Sequence, residues 1–467
     1  MVKKRVAFFT LGCKVNSYET DAMQKLFKDA GYEIVAFCEE AEVYIINTCT
    51  VTNIADRKSR QMLHRARKLH PLAVIVAVGC YVQVAQKAVA ADFAVDIVVG
   101  NNKKAEIVTI VESYQKEQSL SLTEKAKAYI KDISLQSEKY ESLFISDAGE
   151  RTRASIKIQD GCNQFCSYCI IPYARGRIRS RDLSDIVKEV TGLALAGYQE
   201  IVLTGIHLSS YGMDFVKNGE KQEVLLGNVI EEVSKIEGIK RIRLGSLEPN
   251  IITEEFIKPL VDNEKFCPHF HLSLQSGCNE TLKRMNRHYT TEEYLEKCKL
   301  LRKYFSLPAI TTDVIVGFPG ETQEEFELSY NFLKQAAFSQ MHIFPYSKRH
   351  GTKAEHMINQ VSEETKKRRS EALLALEQEM RHKYQDQFIG KKQQVLLEEK
   401  IEWNGSSYWV GHTMRYIKIA LISSNIDSNM TSSIITAASK QENRSNQLIT
   451  GTVTGRLGED LLLINIE

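Results

Sequence analysis

The sequence carries almost no net charge: 61 Lys and Arg face 59 Asp and Glu over 467 residues, a formal +2. Such a balance neither demands nor excludes a nucleic-acid partner, so only local patches can attract one. The densest is residues 55–70, "ADRKSRQMLHRARKLH", where Arg57, Lys58, Arg60, Arg65, Arg67 and Lys68 oppose Asp56 alone. A solvated helix face and a phosphate contact explain it equally well. Also missing is any apolar run near the roughly 18 residues of a membrane span. The start, "MVKKRVAFFTLGC", imitates an export signal, but its apolar run is shorter than the roughly 7–15 residues required, and polar "KVNSYE" follows. A first β-strand and a cytoplasmic protein with no membrane contact are expected. Without a leader, the 10 cysteines are expected to be reduced and to serve metals or chemistry rather than structural bridges.

What is present is globular: 43% hydrophobic and 26% charged residues, at a length that suggests about three domains. Three apolar, β-rich runs, "RVAFFTLG", "EVYIINT" and "AVIVAVG", each lead to a cysteine: Cys13, Cys49 and Cys80. Helical patterns follow at about 18–30, 55–69 and from 83 onward, and a further strand, "AVDIVVG", precedes Asn101. Alternation of this kind predicts an α/β domain with a doubly wound parallel sheet over residues 1–112. All strand C-termini then share one edge, so the three cysteines meet in one crevice as a metal site. Cys38, Cys267, Cys278 and Cys298 show no such pattern and read as packing residues. Residues 113–150 lose the alternation and read as a linker, with one short helix at most.

Strand and helix patterns resume over residues 151–360, about six repeats, which suits a partial parallel (β/α)6 barrel with active residues at strand C-termini. After its first strand comes "GCNQFCSYC", with Cys162, Cys166 and Cys169 in a C-x3-C-x2-C pattern and aromatic Tyr168 before the last cysteine. A structural zinc site wants four protein ligands, usually as two pairs. A four-iron cluster also has four corners but can leave one to a substrate.

This spacing resembles the radical S-adenosylmethionine (SAM) enzymes. "TLGCKVN", "INTCTVT", "VGCY", "GCNQFCSYCIIPYARGRIRSR", "LSLQSGCNETLKRMNR", "TDVIVGFPGET" and "FPYSKRHGTKA" together resemble the MiaB-like methylthiotransferase family along nearly the whole chain. The resemblance implies two 4Fe-4S clusters, one held by Cys162, Cys166 and Cys169, the other by Cys13, Cys49 and Cys80. It also implies SAM as both radical source and methyl donor, and an electron donor that the sequence does not identify. The implied substrate is a tRNA anticodon loop. "TLGCKVN" and "RIRLGSLEP" look most like the branch acting on N6-threonylcarbamoyladenosine 3′ of the anticodon. Isopentenyladenosine in tRNA, or a ribosomal-protein aspartate, is the alternative within the family. A metal-stabilised RNA-binding module without catalysis is the alternative outside it.

Candidate cofactor contacts are Tyr168, Arg175, Glu248 and Asp313. Arg175, Arg177, Arg179 and Arg181 recur at every second position, so an extended segment would present them on one side, to a carboxylate, a phosphate or ordinary salt bridges. Glu248 and Asp313 fall at expected strand ends, the active edge, where structural pairing competes with a functional role. His207 reads as a satisfied loop histidine. At the C-terminus, residues 361–387 predict a connecting helix. Short β-like runs over 388–467 predict a small barrel, in which "WVGHTMRYIKI" resembles the RNA-binding TRAM domain. Its eight basic and eight acidic residues cancel. The polar insert from "SSNIDSNM" to "NRSNQ" reads as a mobile loop.

Overall fold

A computed structural model describes residues 3–118, 127–133, 139–147, 149, 151–217, 220–221, 225–423, 444–459 and 461–465. Its first sheet is wholly parallel, in the order Glu33–Val35, Arg5–Thr10, Val43–Thr48, Val74–Gly79, Ile97–Val99, Lys127–Tyr129. Val43–Thr48 is buried at every position, as a central strand covered on both faces must be. On one face Val6, Val43, Ile45 and Val76 pack against Met23 and Phe27 of helix Lys14–Asp29 and Ile107 of helix Ile107–Gln118. On the other, Tyr44, Ile46 and Ile75 pack against Leu63 and Ala66 of helix Asn53–Leu69. Strand order reverses between Arg5–Thr10 and Val43–Thr48, the place where such sheets bind ligands.

This domain runs past residue 112. Helix Ile107–Gln118 continues beyond it, and Lys127–Tyr129 adds a sixth strand within what reads as linker. The strand is three residues long and edge-placed, too short and too polar to register as a periodic apolar run. Further on, Leu143 and Ile145 are buried in the core of the next domain. Composition alone cannot show such a strap to be packed.

Six parallel strands then follow in chain order: Arg153–Asp160, Glu200–Gly205, Arg241–Leu244, His269–His271, Ala309–Val316 and Gln340–Pro345. The third and fourth meet only through the bridges Ile242 to Phe266 and Leu247 to Leu272. The expected partial barrel is present. Helix Lys14–Asp29 of the first domain packs beside its first strand, and Tyr18 and Ala22 enter the barrel core.

Helix Glu363–Asp386 leads to a closed five-stranded barrel, in the order Lys392–Trp403, Ser406–Thr413, Lys418–Ile422, Leu461–Asn465, Leu448–Leu457. Residues 424–443 of the insert lie outside the described residues. The small barrel closes the N-terminal end of the central one. Arg241 donates to the His412 and Gln394 carbonyls at 2.9 and 2.8 Å, and Arg243 to those of Met414 and Thr413 at 2.9 and 3.1 Å. Tyr416 stacks on His412 and on His269, at 4.4 and 5.1 Å between centroids. No described helix is long and apolar enough to cross a membrane.

His269 links this junction to pH. Burial, then the nearby Arg243 charge, holds its imidazole well below the usual 6.5. The unfolded chain takes up a proton near 6.5 that the folded junction refuses, so stability falls as pH drops below about 6.5. Thermal unfolding at pH 7.5 and pH 5.5 should therefore show a lower midpoint in acid, and His269→Phe should flatten part of that dependence. An identical pH profile in the variant would refute the role of His269.

Candidate active site

Both cysteine trios sit where strands end. Cys13 caps helix Lys14–Asp29, which starts four residues earlier than its apolar pattern indicates, and Cys80 opens the short helix Cys80–Val84. The first turn is fixed by Asn16, whose Nδ2 donates to the carbonyls of Leu11 at 2.7 Å and Thr48 at 3.0 Å. Gly12 has φ +103°, and a Cβ there would lie 2.9 Å from the Cys49 Sγ, so only glycine lets the two loops approach. Cys49 and Cys80 are buried and Cys13 is open to solvent. Burial raises the Cys49 thiol first, and the neighbouring Cys80 and Cys13 raise it further. Cys13, Cys49 and Cys80 thus stand at neighbouring strand ends.

The second trio occupies the loop after Arg153–Asp160. Phe165 takes a left-handed φ of 48°, held by Asn286, whose Nδ2 donates to the carbonyls of Gln164 and Phe165 at 3.1 Å each. Ser167 Oγ donates to the Arg284 carbonyl at 2.8 Å. The segment "RMNR" is thus the loop's clamp. Its last residue, Arg287, donates to Cys166 Sγ at 3.3 Å and grips both Glu248 oxygens at 2.8 and 2.7 Å. Backbone N–H groups of Gln164 and Ile171 point at Cys162 and Cys169 Sγ, at 3.5 and 3.4 Å. Burial pushes both of those thiols up to about 12, so they stay neutral until a cation draws off the protons.

All six cysteines are free thiols. Three are grouped at each site, N–H donors face the sulfurs, and a guanidinium stands beside each group. That donor set fits thiolate-held iron–sulfur clusters and lacks the second pair of a structural zinc site.

The trios adjoin. Helix Cys80–Val84 packs on helix Ile171–Arg175, which follows Cys169. At this seam Arg175 Nε donates to Cys80 Sγ at 3.1 Å, Nη2 to Asn16 at 2.5 Å and Nη1 to Glu19 at 2.5 Å. Arg175 is therefore fully buried between domains and directed at the first trio. The expected one-sided run of arginines is also absent. Gly176, at φ 74°, breaks the extended path, Arg177 lies over the Phe165 ring, Arg179 faces Asp160 at 3.7 Å and Arg181 pairs with Glu189.

Half-buried Tyr168 packs edge-on to Phe318 at 6.3 Å, and desolvation raises its phenol well above the usual value. Glu248 stands beside Arg287 and 3.7 Å from His207, whose ring also meets Gln164 at 3.3 Å. His207 is thus part of the second trio's surroundings. Asp313 is mid-strand in Ala309–Val316 and not at its end. It lies 3.2 Å from His271, and with His342 on the next strand their ligand-type atoms fall within 4.8 Å. Sequence reading missed Asn16, Glu19, Asn101, Arg287, His271 and His342. For Asn16, Glu19, His271 and His342 the available signal was a polar residue at an apolar position of a helix or alternating along a strand; Asn101 and Arg287 lie outside helices and strands and carry no such signal. Of the expected packing cysteines, Cys267, Cys278 and Cys298 are buried, whereas Cys38 is exposed.

Beside Cys49, helix Asn53–Leu69 exposes Arg57, Lys58, Arg60, Arg65 and Lys68. Arg67 is instead tied to Asp96 at 2.5 Å, and Asp56 is taken by Arg349 at 2.5 Å.

Comparison with known proteins adds independent findings. Residues 156–333 match the model of the Radical SAM superfamily, and residues 5–100 that of the uncharacterized protein family UPF0004. The chain is 44% identical over 418 residues to the threonylcarbamoyladenosine tRNA methylthiotransferase MtaB of Bacillus subtilis, covering 89% of each. It is 43% identical to the protein of that name from Aquifex aeolicus, covering 85% of this chain and 93% of that one. A solved radical SAM methyltransferase, TsrM from Kitasatospora setae, superposes with a TM-score of 0.54 at 15% identity, over 74% of this chain and 75% of that one. The last likeness speaks for the fold.

Proposed function

Because the chain belongs to the radical SAM methylthiotransferases, we infer that it converts N6-threonylcarbamoyladenosine, 3′ of the anticodon in tRNA, to the 2-methylthio derivative. The observation that carries this reading is the pair of three-cysteine sites at adjoining loop mouths. One site suffices to start a radical; a second with an open corner suits a sulfur to be given away. Bound there, the two 4Fe-4S clusters and SAM supply the electron, the radical, the sulfur and the methyl group.

The residues of the chain bind, orient and shield. Cys162, Cys166 and Cys169 would hold the cluster that meets SAM, with Arg287 and Glu248 keeping the loop in place beneath it. Cys13, Cys49 and Cys80 would hold the second, with Arg175 and Asn101 turned toward the Cys80 sulfur, at 3.1 and 3.8 Å. The seam between the helices Cys80–Val84 and Ile171–Arg175 fixes one site against the other, and positioning of this kind is worth orders of magnitude in rate. The small C-terminal barrel closes the floor and limits water beneath the site. The exposed basic face of helix Asn53–Leu69, beside Cys49, suits the phosphates of an anticodon stem-loop.

Nucleoside mass spectrometry of tRNA from a strain lacking the gene tests this. The 2-methylthio derivative of threonylcarbamoyladenosine should vanish and its unthiolated precursor accumulate. Loss of methylthiolated isopentenyladenosine instead, or of no methylthio nucleoside, would overturn the substrate.

A further inference from the structure

Between the first turn of helix Lys14–Asp29 and the floor of the central barrel lies a recess of about 400 Å³. Lys14, Arg153, Ser155, Arg243, Glu398 and Tyr416 line it, so three domains contribute. Ser155, Val202 and Arg243 come from neighbouring strands of the central barrel. With Arg151 and Glu399 also in its lining, Lys14 and three arginines face two carboxylates there. Arg243 is held by Glu200 at 2.7 Å, and Arg153 by Glu398 at 3.1 Å, while Arg153 Nη1 finds no hydrogen-bond partner among the described residues. Lys14 has no hydrogen bond or ion pair among the described residues, and it faces the repulsion of Arg153 and Arg243. An ammonium beside two guanidiniums is a place for an anion.

Lys14 directly follows Cys13 in sequence, so its Cα is within about 3.8 Å of that of a ligand to the sulfur-bearing group. In the inferred substrate the reacting C2 and the N6 substituent are carried on the same six-membered ring, separated only by N1 and C6. A carboxylate at the end of the N6 substituent must fall within several ångströms of the sulfur donor. We propose that this recess binds the carboxylate of the threonylcarbamoyl group, with the Lys14 ammonium as its direct partner and Arg153 adding charge. Lys14 is then a specificity-determining residue. An apolar N6 substituent would leave the Lys14 ammonium unpaired, a penalty that selects for the anionic base. The proposal rests on the substrate reading above.

The test uses the reconstituted full-length enzyme with two anticodon stem-loops. One bears threonylcarbamoyladenosine, the other the same group with its carboxylate converted to an amide. Wild type should favour the carboxylate in both kcat/KM and fluorescence-measured affinity. Lys14→Gln should lose about 10- to 100-fold toward the carboxylate and little toward the amide, and Lys14→Arg should restore much of the preference. Equal losses on both stem-loops, or no loss on either, would overturn the role of Lys14 while leaving the reaction assignment intact. A wild type that methylthiolates neither stem-loop would remove the substrate reading first and the proposal with it.

Discussion

Alanine at Cys162, Cys166 or Cys169 is expected to abolish 5′-deoxyadenosine formation, whereas alanine at Cys49 should spare it and abolish only methylthiolation. Each change should lower reconstituted iron from about eight to about four per chain. The reason lies in the separate supports of the two trios. Cys49 leaves the first sheet, whose two apolar faces are its own. The other loop is pinned by Asn286, Arg284 and Arg287 of the central barrel. Cys49 is the better probe of its trio, because Cys80 also accepts the Arg175 hydrogen bond across the seam. Iron analysis, 5′-deoxyadenosine yield and methylthio-nucleoside yield, measured on variants with unchanged circular dichroism, decide the matter. Equal loss of cleavage from both trios would contradict their division of labour.

Glu19→Ala should destabilise the protein by about 3–5 kcal/mol, the usual cost of leaving buried charges without their partner. The Glu19 carboxylate is buried at the junction and meets Arg175 at 2.5 Å, Lys104 at 2.7 Å and Lys157 at 2.8 Å. Burial alone would raise this carboxyl, but the Arg175, Lys104 and Lys157 charges hold it well below its usual value. Without it, Lys104 would lose its ion pair, and Lys157 and Arg175 would be left to Asp160, which lies 2.9 and 3.4 Å from them and also faces Arg179. A depressed carboxylate stabilises above its unfolded pKa near 4.5 and loses that effect as pH falls toward the folded value. Denaturant unfolding should therefore show a lower midpoint for the variant at pH 7 and a smaller difference in acid. An unchanged midpoint at pH 7 would show that the junction does not depend on this carboxylate.

Much of the site was legible because its chemistry is carried by spacing. Cys162, Cys166 and Cys169 stand within eight positions, and each cysteine of the other trio follows a short, β-rich apolar run that reads as a strand. What escaped was whatever depends on a distant partner. Arg175 reads as a candidate for a carboxylate or phosphate because its own neighbours are basic. Its actual partners, Asn16, Glu19 and Cys80, are 159, 156 and 95 residues away in sequence. The strand Lys127–Tyr129 escaped for a related reason, since an edge strand of three residues is specified by the sheet it joins.

By itself, then, the sequence determined the order of elements, the two trios and the class of chemistry, because strand alternation and cysteine spacing are local and survive without a partner. Only the tertiary structure decided which side chains surround the sulfurs, where the charge of Arg175 is neutralised and how Lys14 comes to face Arg153 and Arg243. Those outcomes are set by burial and by Coulomb energies between residues far apart in the chain, and both exist only once the three domains have closed on one another.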